Sequence, residues 1–201
     1  MERIETPKMT NMKTHFPQYF LLAILSLFSG QMAVAQWKSS GEFNKLLHIE
    51  GTDIVVATYD EIKKFSWAST NVLFINTSTG ESRELELSKT ADIRKVNTSN
   101  KGKINGGPMV VIEAQTLDLN GNGKVDFFEP LSLFVCDAKG ENLKRLTPDN
   151  FFVKTWEVVP ENNRMVISGK VDSNQNGKKD EADEASILIV DLNTMEVVKE
   201  L

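Results

Sequence analysis

Four short segments recur in the same order about every 55 residues along the chain. Each repeat has one segment that alternates apolar and polar residues, two apolar β-branched segments, and a polar closing segment. Residues that favour turns fall between them. The first segments are 44–49, 91–96 and 152–159; the second are 54–57, 109–112 and 165–168; the third are 72–76, 133–137 and 187–191; the closing segments are 81–87, 141–146 and 196–201.

This pattern predicts an all-β fold of three four-stranded units, at about 42–90, 91–147 and 148–201. The two inner segments of each unit are continuous apolar runs, which is typical of strands that are covered on both faces. No long amphipathic helix is expected after residue 35. We therefore expect residues 36–201 to form a single all-β repeat domain.

Two acidic segments with nearly the same pattern lie 54 residues apart, at 118–129 and 172–183. Side chains that carry oxygen occupy positions 1, 3, 5 and 9, glycine occupies position 6, and a carboxylate occupies position 12. This is the ligand order of a calcium-binding loop, in which position 7 binds through its backbone carbonyl. The candidate ligands are Asp118, Asn120, Asn122, Lys124, Asp126 and Glu129 in loop 1, and Asp172, Asn174, Asn176, Lys178, Asp180 and Asp183 in loop 2.

The loops differ from a helix-flanked calcium hand because the residues on either side favour strands. Each loop is expected to join the second and third strands of its unit. Residues 60–67 hold this place in the first unit and lack the glycine and the alternating oxygens, so no ion is predicted there. With three carboxylates per loop, the expected dissociation constant is on the order of 10⁻⁵ to 10⁻³ M. The alternative is a pair of solvated acidic turns that bind no ion.

A family resemblance supports the repeat interpretation. The third unit has an aromatic residue at Trp156, a turn with Pro160, an apolar strand ending at Asp191, and a closing strand. It resembles a blade of a TolB-like β-propeller, and the Leu146-Thr147 ending of the second unit is similar to that family's blade ending. The acidic loops are similar to the β-hairpin calcium loops of the integrin α-subunit propeller.

The resemblance implies blade-like sheets, but three blades are too few to close a ring. Three arrangements are compatible with this blade count. Two chains could form a six-bladed homodimer, the three sheets could pack in another compact way, or the chain could be a truncated relative of a longer propeller. The sequence does not choose among them.

The N-terminal residues 1–35 are expected to be a secretory signal peptide. Basic residues Lys8 and Lys13 precede an apolar stretch at 19–28, and the small-x-small pattern of Ala33 to Ala35 follows. The apolar stretch is short for a membrane span, although an uncleaved anchor is the alternative. We expect a secreted or periplasmic protein with no membrane span after cleavage, in a compartment where calcium is abundant.

The remaining chemistry favours a binding protein over an enzyme. The net charge of −5 at pH 7 is unlike a nucleic-acid-binding surface, and the single cysteine, Cys136, is expected to be a buried apolar residue. After residue 35 the one histidine, His48, lies in an apolar strand pattern, so no catalytic triad can be argued. We expect a non-catalytic calcium-binding module that binds another protein or a surface polymer. A calcium-assisted hydrolase of the cell envelope and a helical calcium sensor are the alternatives.

Overall fold

The protein was analysed as a computed structural model that describes residues 42–63, 66–88, 90–99 and 101–201. The expected signal peptide at 1–35 lies outside the described residues. All of the described strands belong to one compact unit, Ser39–Leu201. None of the described residues belongs to a helix with the length and apolarity needed to cross a membrane.

The strands form three antiparallel sheets that follow one another along the chain. Sheet 1 contains β1 (Glu42–His48), β2 (Ile54–Lys63), β3 (Ser66–Asn76) and β4 (Ser82–Leu85). Sheet 2 contains β5 (Asp92–Asn97), β6 (Lys103–Ile104), β7 (Gly107–Gln115), β8 (Ser132–Asp137) and β9 (Lys144–Arg145). Sheet 3 contains β10 (Phe151–Val159), β11 (Arg164–Val171), β12 (Glu184–Asp191) and β13 (Glu196–Glu200).

Apart from the short strand β6, strands that are consecutive in the chain are neighbours in each sheet. Sheet 1 runs β1-β2-β3-β4, sheet 3 runs β10-β11-β12-β13, and sheet 2 runs β5-β7-β8-β9 with β6 paired beside β7. Sheets 1 and 2 meet at a single backbone pairing, Ser69 with Ile93. The predicted all-β class is therefore confirmed for the described residues, as three antiparallel sheets of four or five strands.

Two local features differ from the sequence-based expectation. The short strand β6 pairs with the start of β7 and has no counterpart in the repeat pattern. In the first unit, residues 60–63 and 66–69 do not form an open connection between strands. They continue the pairing of β2 with β3, through partners such as Ile62 with Trp67 and Lys63 with Ser66.

Sheet 2 is buried on both faces. Along β7, Met109 and Val111 pack into a cluster with residues of sheet 3, such as Ile167 and Leu188. The alternate residues Val110 and Ile112 pack into a second cluster with residues of sheet 1. Strand β8 divides in the same way, because Leu133 and Val135 join the first cluster while Phe134 and Cys136 join the second. This explains why β7 and β8 are continuous apolar runs rather than alternating ones.

Sheets 1 and 3 each have one buried face and one face that is partly open. In sheet 3, Met165, Ile167, Leu188 and Val190 are buried, while Val166 and Ile189 are half-buried and Ile187 is 38% exposed. Edge strand β13 is exposed throughout its length. Apolar side chains therefore remain accessible on the outer sheets.

Cys136 is fully buried, as expected for a small apolar core residue. Burial, reinforced by the charge of Asp137, raises the pKa of its thiol to about 12. The thiol is therefore protonated at neutral pH and is not available as a nucleophile.

Truncating a leucine of sheet 2 should destabilise the protein far more than truncating one at the edge of sheet 1. Leu133 is fully buried in the cluster shared with sheet 3, whereas Leu46 on β1 is 68% exposed. We expect Leu133→Ala to lower the free energy of unfolding by about 2–5 kcal/mol. Leu46→Ala should change it by less than about 0.5 kcal/mol. Urea denaturation followed by tryptophan fluorescence measures both, and equal effects would contradict this description of the core.

Candidate metal centre

The two acidic loops occupy equivalent places in the fold. Loop 1 (118–129) lies between β7 and β8, and loop 2 (172–183) lies between β11 and β12. In each sheet these are the second and third long strands, as the repeat pattern predicts. The long strands on both sides of each loop carry buried core residues, so the loop ends are fixed by the packing of the sheets.

The aspartate at position 1 holds each loop in the same way. Asp118 Oδ1 accepts a hydrogen bond from the backbone N–H of Asn122 at 2.9 Å, and its Oδ2 accepts from Gly123 at 2.7 Å. In loop 2, the two oxygens of Asp172 accept from Asn176 at 3.1 Å and from Gly177 at 2.9 Å. One carboxylate therefore curls the chain by binding two successive amides in both loops.

The side chains at positions 3, 5 and 9 each accept a hydrogen bond from the backbone N–H two residues ahead. This local bond is the Asx turn, which Asn and Asp favour. The bonds are Asn120 with Asn122, Asn122 with Lys124, and Asp126 with Phe128 in loop 1; they are Asn174 with Asn176, Asn176 with Lys178, and Asp180 with Ala182 in loop 2.

Both loops adopt the left-handed backbone conformation at positions 4 and 6. Loop 1 has glycine at both places, with φ of 70° at Gly121 and 80° at Gly123. Loop 2 has φ of 58° at Gln175 and 70° at Gly177. Because a residue with a Cβ is strained there, Gln175 costs on the order of 1 kcal/mol relative to glycine. The two loops thus share one backbone path although their residues at position 4 differ.

The carboxylates at position 12 are buried and close the loops. Glu129 is 3% exposed; its Oε2 accepts the N–H of Leu119 at 2.7 Å, and its Oε1 accepts from the amide of Asn120. Asp183 is 6% exposed, and its Oδ2 accepts the N–H of Asp180 at 2.7 Å. Its other oxygen, Oδ1, is buried without a hydrogen-bond partner in the described part of the chain. Such an atom is costly unless a donor or a cation reaches it.

Asp180 accepts hydrogen bonds from several residues of loop 2. Its carboxylate accepts from the side-chain amide of Asn176 at 2.7 Å and from that of Asn174 at 3.3 and 3.4 Å. The Asn176 bond, followed by the backbone N–H of Ala182, lowers the pKa of Asp180. A lowered pKa means that these bonds stabilise the folded state at neutral pH. That contribution is lost as the pH falls through the folded-state pKa.

These contacts bring together the predicted ligands of loop 2 more completely than those of loop 1. In loop 2, hydrogen bonds connect positions 3, 5, 9 and 12, and the position-1 residue Asp172 is 3% exposed. In loop 1, Asp118 is exposed, and Asp126 has no recorded bond to another candidate side chain. The side chains of Lys124 and Lys178 are exposed, which leaves only their carbonyls to serve as ligands.

Among the residues that the structure describes, no group of three or more His, Cys, Asp and Glu side chains converges closely enough to hold a metal ion. In loop 2, the amides of Asn174 and Asn176 contact the Asp180 carboxylate. The donor set nevertheless fits a hard cation, since each asparagine oxygen accepts only one hydrogen bond and keeps a second lone pair. The buried Asp183 Oδ1 supplies a further oxygen.

Loop 2 packs against loop 1. A Cβ atom on Gly177 would lie 2.6 Å from the carbonyl oxygen of Leu119 and 2.9 Å from Asn120 Cα. Glycine at position 6 of loop 2 is therefore needed for this close approach as well as for its backbone conformation. The repeat pattern predicts two independent loops and contains no signal for the contact, because it joins residues far apart in the sequence.

Gln115, at the end of β7, binds the backbone of loop 1 through its side chain. The sequence pattern did not identify it. Its amide nitrogen donates to the carbonyls of Phe127 at 3.0 Å and Glu129 at 2.9 Å. Its oxygen accepts from Arg94 Nε at 2.7 Å, which fixes the orientation of the amide. The sequence carries no specific signal for this role, since Gln115 lies three residues before Asp118 and outside the loop pattern.

His48 differs from its expected environment. Its side chain is exposed, and Nε2 lies 2.8 Å from the carbonyl oxygen of Thr52 across the turn that follows β1. His48 is thus the last residue of β1, paired with Val55 as a strand residue, but its side chain faces solvent instead of the core.

Comparison with protein-family models and with curated proteins gives no match. The function must therefore be inferred from the loops and the surfaces around them.

Alanine at position 6 of each loop should separate the cost of backbone strain from the cost of the contact between loops. Gly123→Ala meets no neighbouring atom, so only its positive φ should matter, at about 1–2 kcal/mol. Gly177→Ala adds a clash with the backbone of loop 1, which we expect to cost a further 1–3 kcal/mol or so. Thermal unfolding in the presence of a metal chelator measures both, and a Gly123→Ala effect as large as that of Gly177→Ala would show that the loops do not touch.

Proposed function

We propose that the protein is an exported, calcium-binding repeat module that has no catalytic activity and binds another protein or a surface polymer. The observation that carries this proposal is the shared structure of the two acidic loops. Two segments 54 residues apart use the same side-chain-to-backbone bonds, the same left-handed positions and the same buried carboxylate at position 12. Ordinary surface turns do not require a buried carboxylate.

Calcium is the cation that this donor set fits best. Each loop offers carboxylate, amide and backbone oxygens and no imidazole or thiolate, which favours a hard cation with many oxygen ligands. In loop 2, Asp183 Oδ1 is buried without a hydrogen-bond partner among the described residues, and a bound cation would supply that partner. Calcium would compete with the asparagine amides for the Asp180 carboxylate, and this competition supports an affinity in the weak range of extracellular modules.

The proposed role of calcium is structural. The loops join strands whose other residues form the shared core of sheets 2 and 3, and they touch each other at Gly177. Neutralising the acidic side chains would remove their mutual repulsion and fix both strand connections. Export through the proposed signal peptide to the periplasm or the cell exterior is consistent with this role, since calcium is plentiful there.

We further propose that the three sheets are blade-like units of a partial β-propeller. The burial of sheet 2 on both faces supports this arrangement, because stacked blades cover one another in this way. The accessible apolar residues of the outer sheets, such as Ile187 and Leu46, support pairing with a second copy.

Calorimetric titration should find two calcium sites per chain, and Asp118→Asn and Asp172→Asn should each remove one of them. Asp137→Asn is the matched control, because Asp137 also accepts two backbone N–H groups in a turn but lies outside both loops. At 100 times the dissociation constant, each site should raise the free energy of unfolding by about 2.7 kcal/mol. Absence of calcium-dependent heat, or an equal loss in the Asp137 variant, would contradict the proposal.

Light scattering of residues 36–201 in millimolar calcium should give the mass of two chains. The physical reason is the apolar surface left on the outer sheets, whose burial yields about 25 cal/mol per Å². Ile187→Lys on the outer face of sheet 3 should shift the mass towards one chain, whereas Lys139→Glu, in the exposed turn after β8, is a charge control away from that face. A monomer with cooperative unfolding would exclude the six-bladed dimer.

A further inference from the structure

A cleft of about 990 Å³ opens between the two acidic loops. Loop 1 lines it with Phe127 and Phe128, and loop 2 lines it with Lys178 and Lys179. Phe152 of β10 contributes to its apolar wall. This volume is at the upper end of the range typical of small-molecule sites.

The two phenylalanines are the most exposed large apolar side chains among the described residues. Phe127 is 75% exposed and Phe128 is 73% exposed, and their rings meet edge to face with centroids 6.0 Å apart. The Arg94 guanidinium lies 5.5 Å from the centre of the Phe127 ring, and Gln115 binds the Phe127 carbonyl. Gln115 and Arg94 thus hold Phe127 at the cleft, one through its backbone and the other through one face of its ring. The remaining apolar surface of the two phenylalanines is open to a ligand.

The charged groups at the cleft favour an anion. Among the described residues, Lys178 and Lys179 have no recorded ion pair, although the chain as a whole carries a net charge of −5. The one carboxylate that lines the cleft, Glu129, is buried and accepts bonds from Leu119 and Asn120. Two lysines without an ion pair among the described residues therefore line a space that phenylalanine side chains also line.

We propose that this cleft binds a small amphipathic anion. Its apolar body lies against Phe127, Phe128 and Phe152, and its carboxylate, sulfonate or phosphate group pairs with Lys178 and Lys179. The class includes single-chain fatty carboxylates and aryl anions, which combine an apolar body with one charged head. The site follows from the cleft as the chain builds it and does not require a bound metal, so it stands independently of the proposed calcium sites.

Fluorescence titration with 8-anilinonaphthalene-1-sulfonate, followed by displacement with dodecanoate, tests the proposal. It is done on residues 36–201, once with calcium and once with a chelator. We expect one saturable site, displaced by dodecanoate at least tenfold more effectively than by dodecanol, which has no charge. Phe128→Ala and Lys179→Gln should each weaken binding about tenfold or more.

Two surface variants away from the cleft are matched controls. Leu46→Ala removes an exposed apolar side chain and Lys45→Gln removes an exposed charge on the same strand, and both should bind the probe within twofold of the unchanged protein. Circular dichroism confirms the fold of each variant, and Phe127→Ala replaces Phe128→Ala if the latter is unfolded. Equal displacement by dodecanol, or an equal loss in the control variants, would overturn the proposal. Binding with chelator present but no calcium-dependent heat would uphold this site and reject the calcium proposal alone.

Discussion

Each acidic loop depends on one aspartate whose two carboxylate oxygens accept successive backbone N–H groups. Asp118 and Asp172 make the same pair of bonds in loops that differ in several other residues. Charge-assisted bonds of this kind are among the stronger hydrogen bonds in proteins. They hold the chain at position 6, where both loops adopt the left-handed backbone conformation.

Both loops are attached to strands that form the apolar core of the molecule. Loop 1 joins β7 and β8, whose alternating residues belong to both apolar clusters, and loop 2 joins β11 and β12, which belong to one of them. Packing of sheet 2 against sheet 3 places the loops side by side, with Gly177 against the backbone of Leu119. The contact creates a surface that neither repeat has alone: an aromatic wall from loop 1 facing two lysines from loop 2.

Local pattern predicts most of the strands because each inner segment is long, apolar and bounded by turn residues. It also predicts the place of both loops, since Asx turns and glycines are local features. The sequence does not predict the long β2–β3 hairpin because residues 60–67 mix charged and apolar residues without alternation, yet 60–63 and 66–69 continue the pairing of an apolar hairpin. The Gly177 contact and the cleft could not be predicted, because they arise from packing between sheets. The support from Gln115 could not be predicted either, because it joins residues that are distant in the sequence. Burial and hydrogen bonding make loop 2 the more enclosed of the two loops, although its position 12 holds an aspartate in place of the longer glutamate of loop 1.

We propose that both loops are cation sites built on the position-1 aspartate. The most direct measurement is a calcium titration followed by the amide resonances in nitrogen–proton correlation spectra. Gly123 and Gly177, whose N–H groups bind Asp118 and Asp172, should shift in a saturable manner, with strand residues such as Val56 unaffected. Shifts that do not saturate, or that spread equally over the strands, would contradict the account.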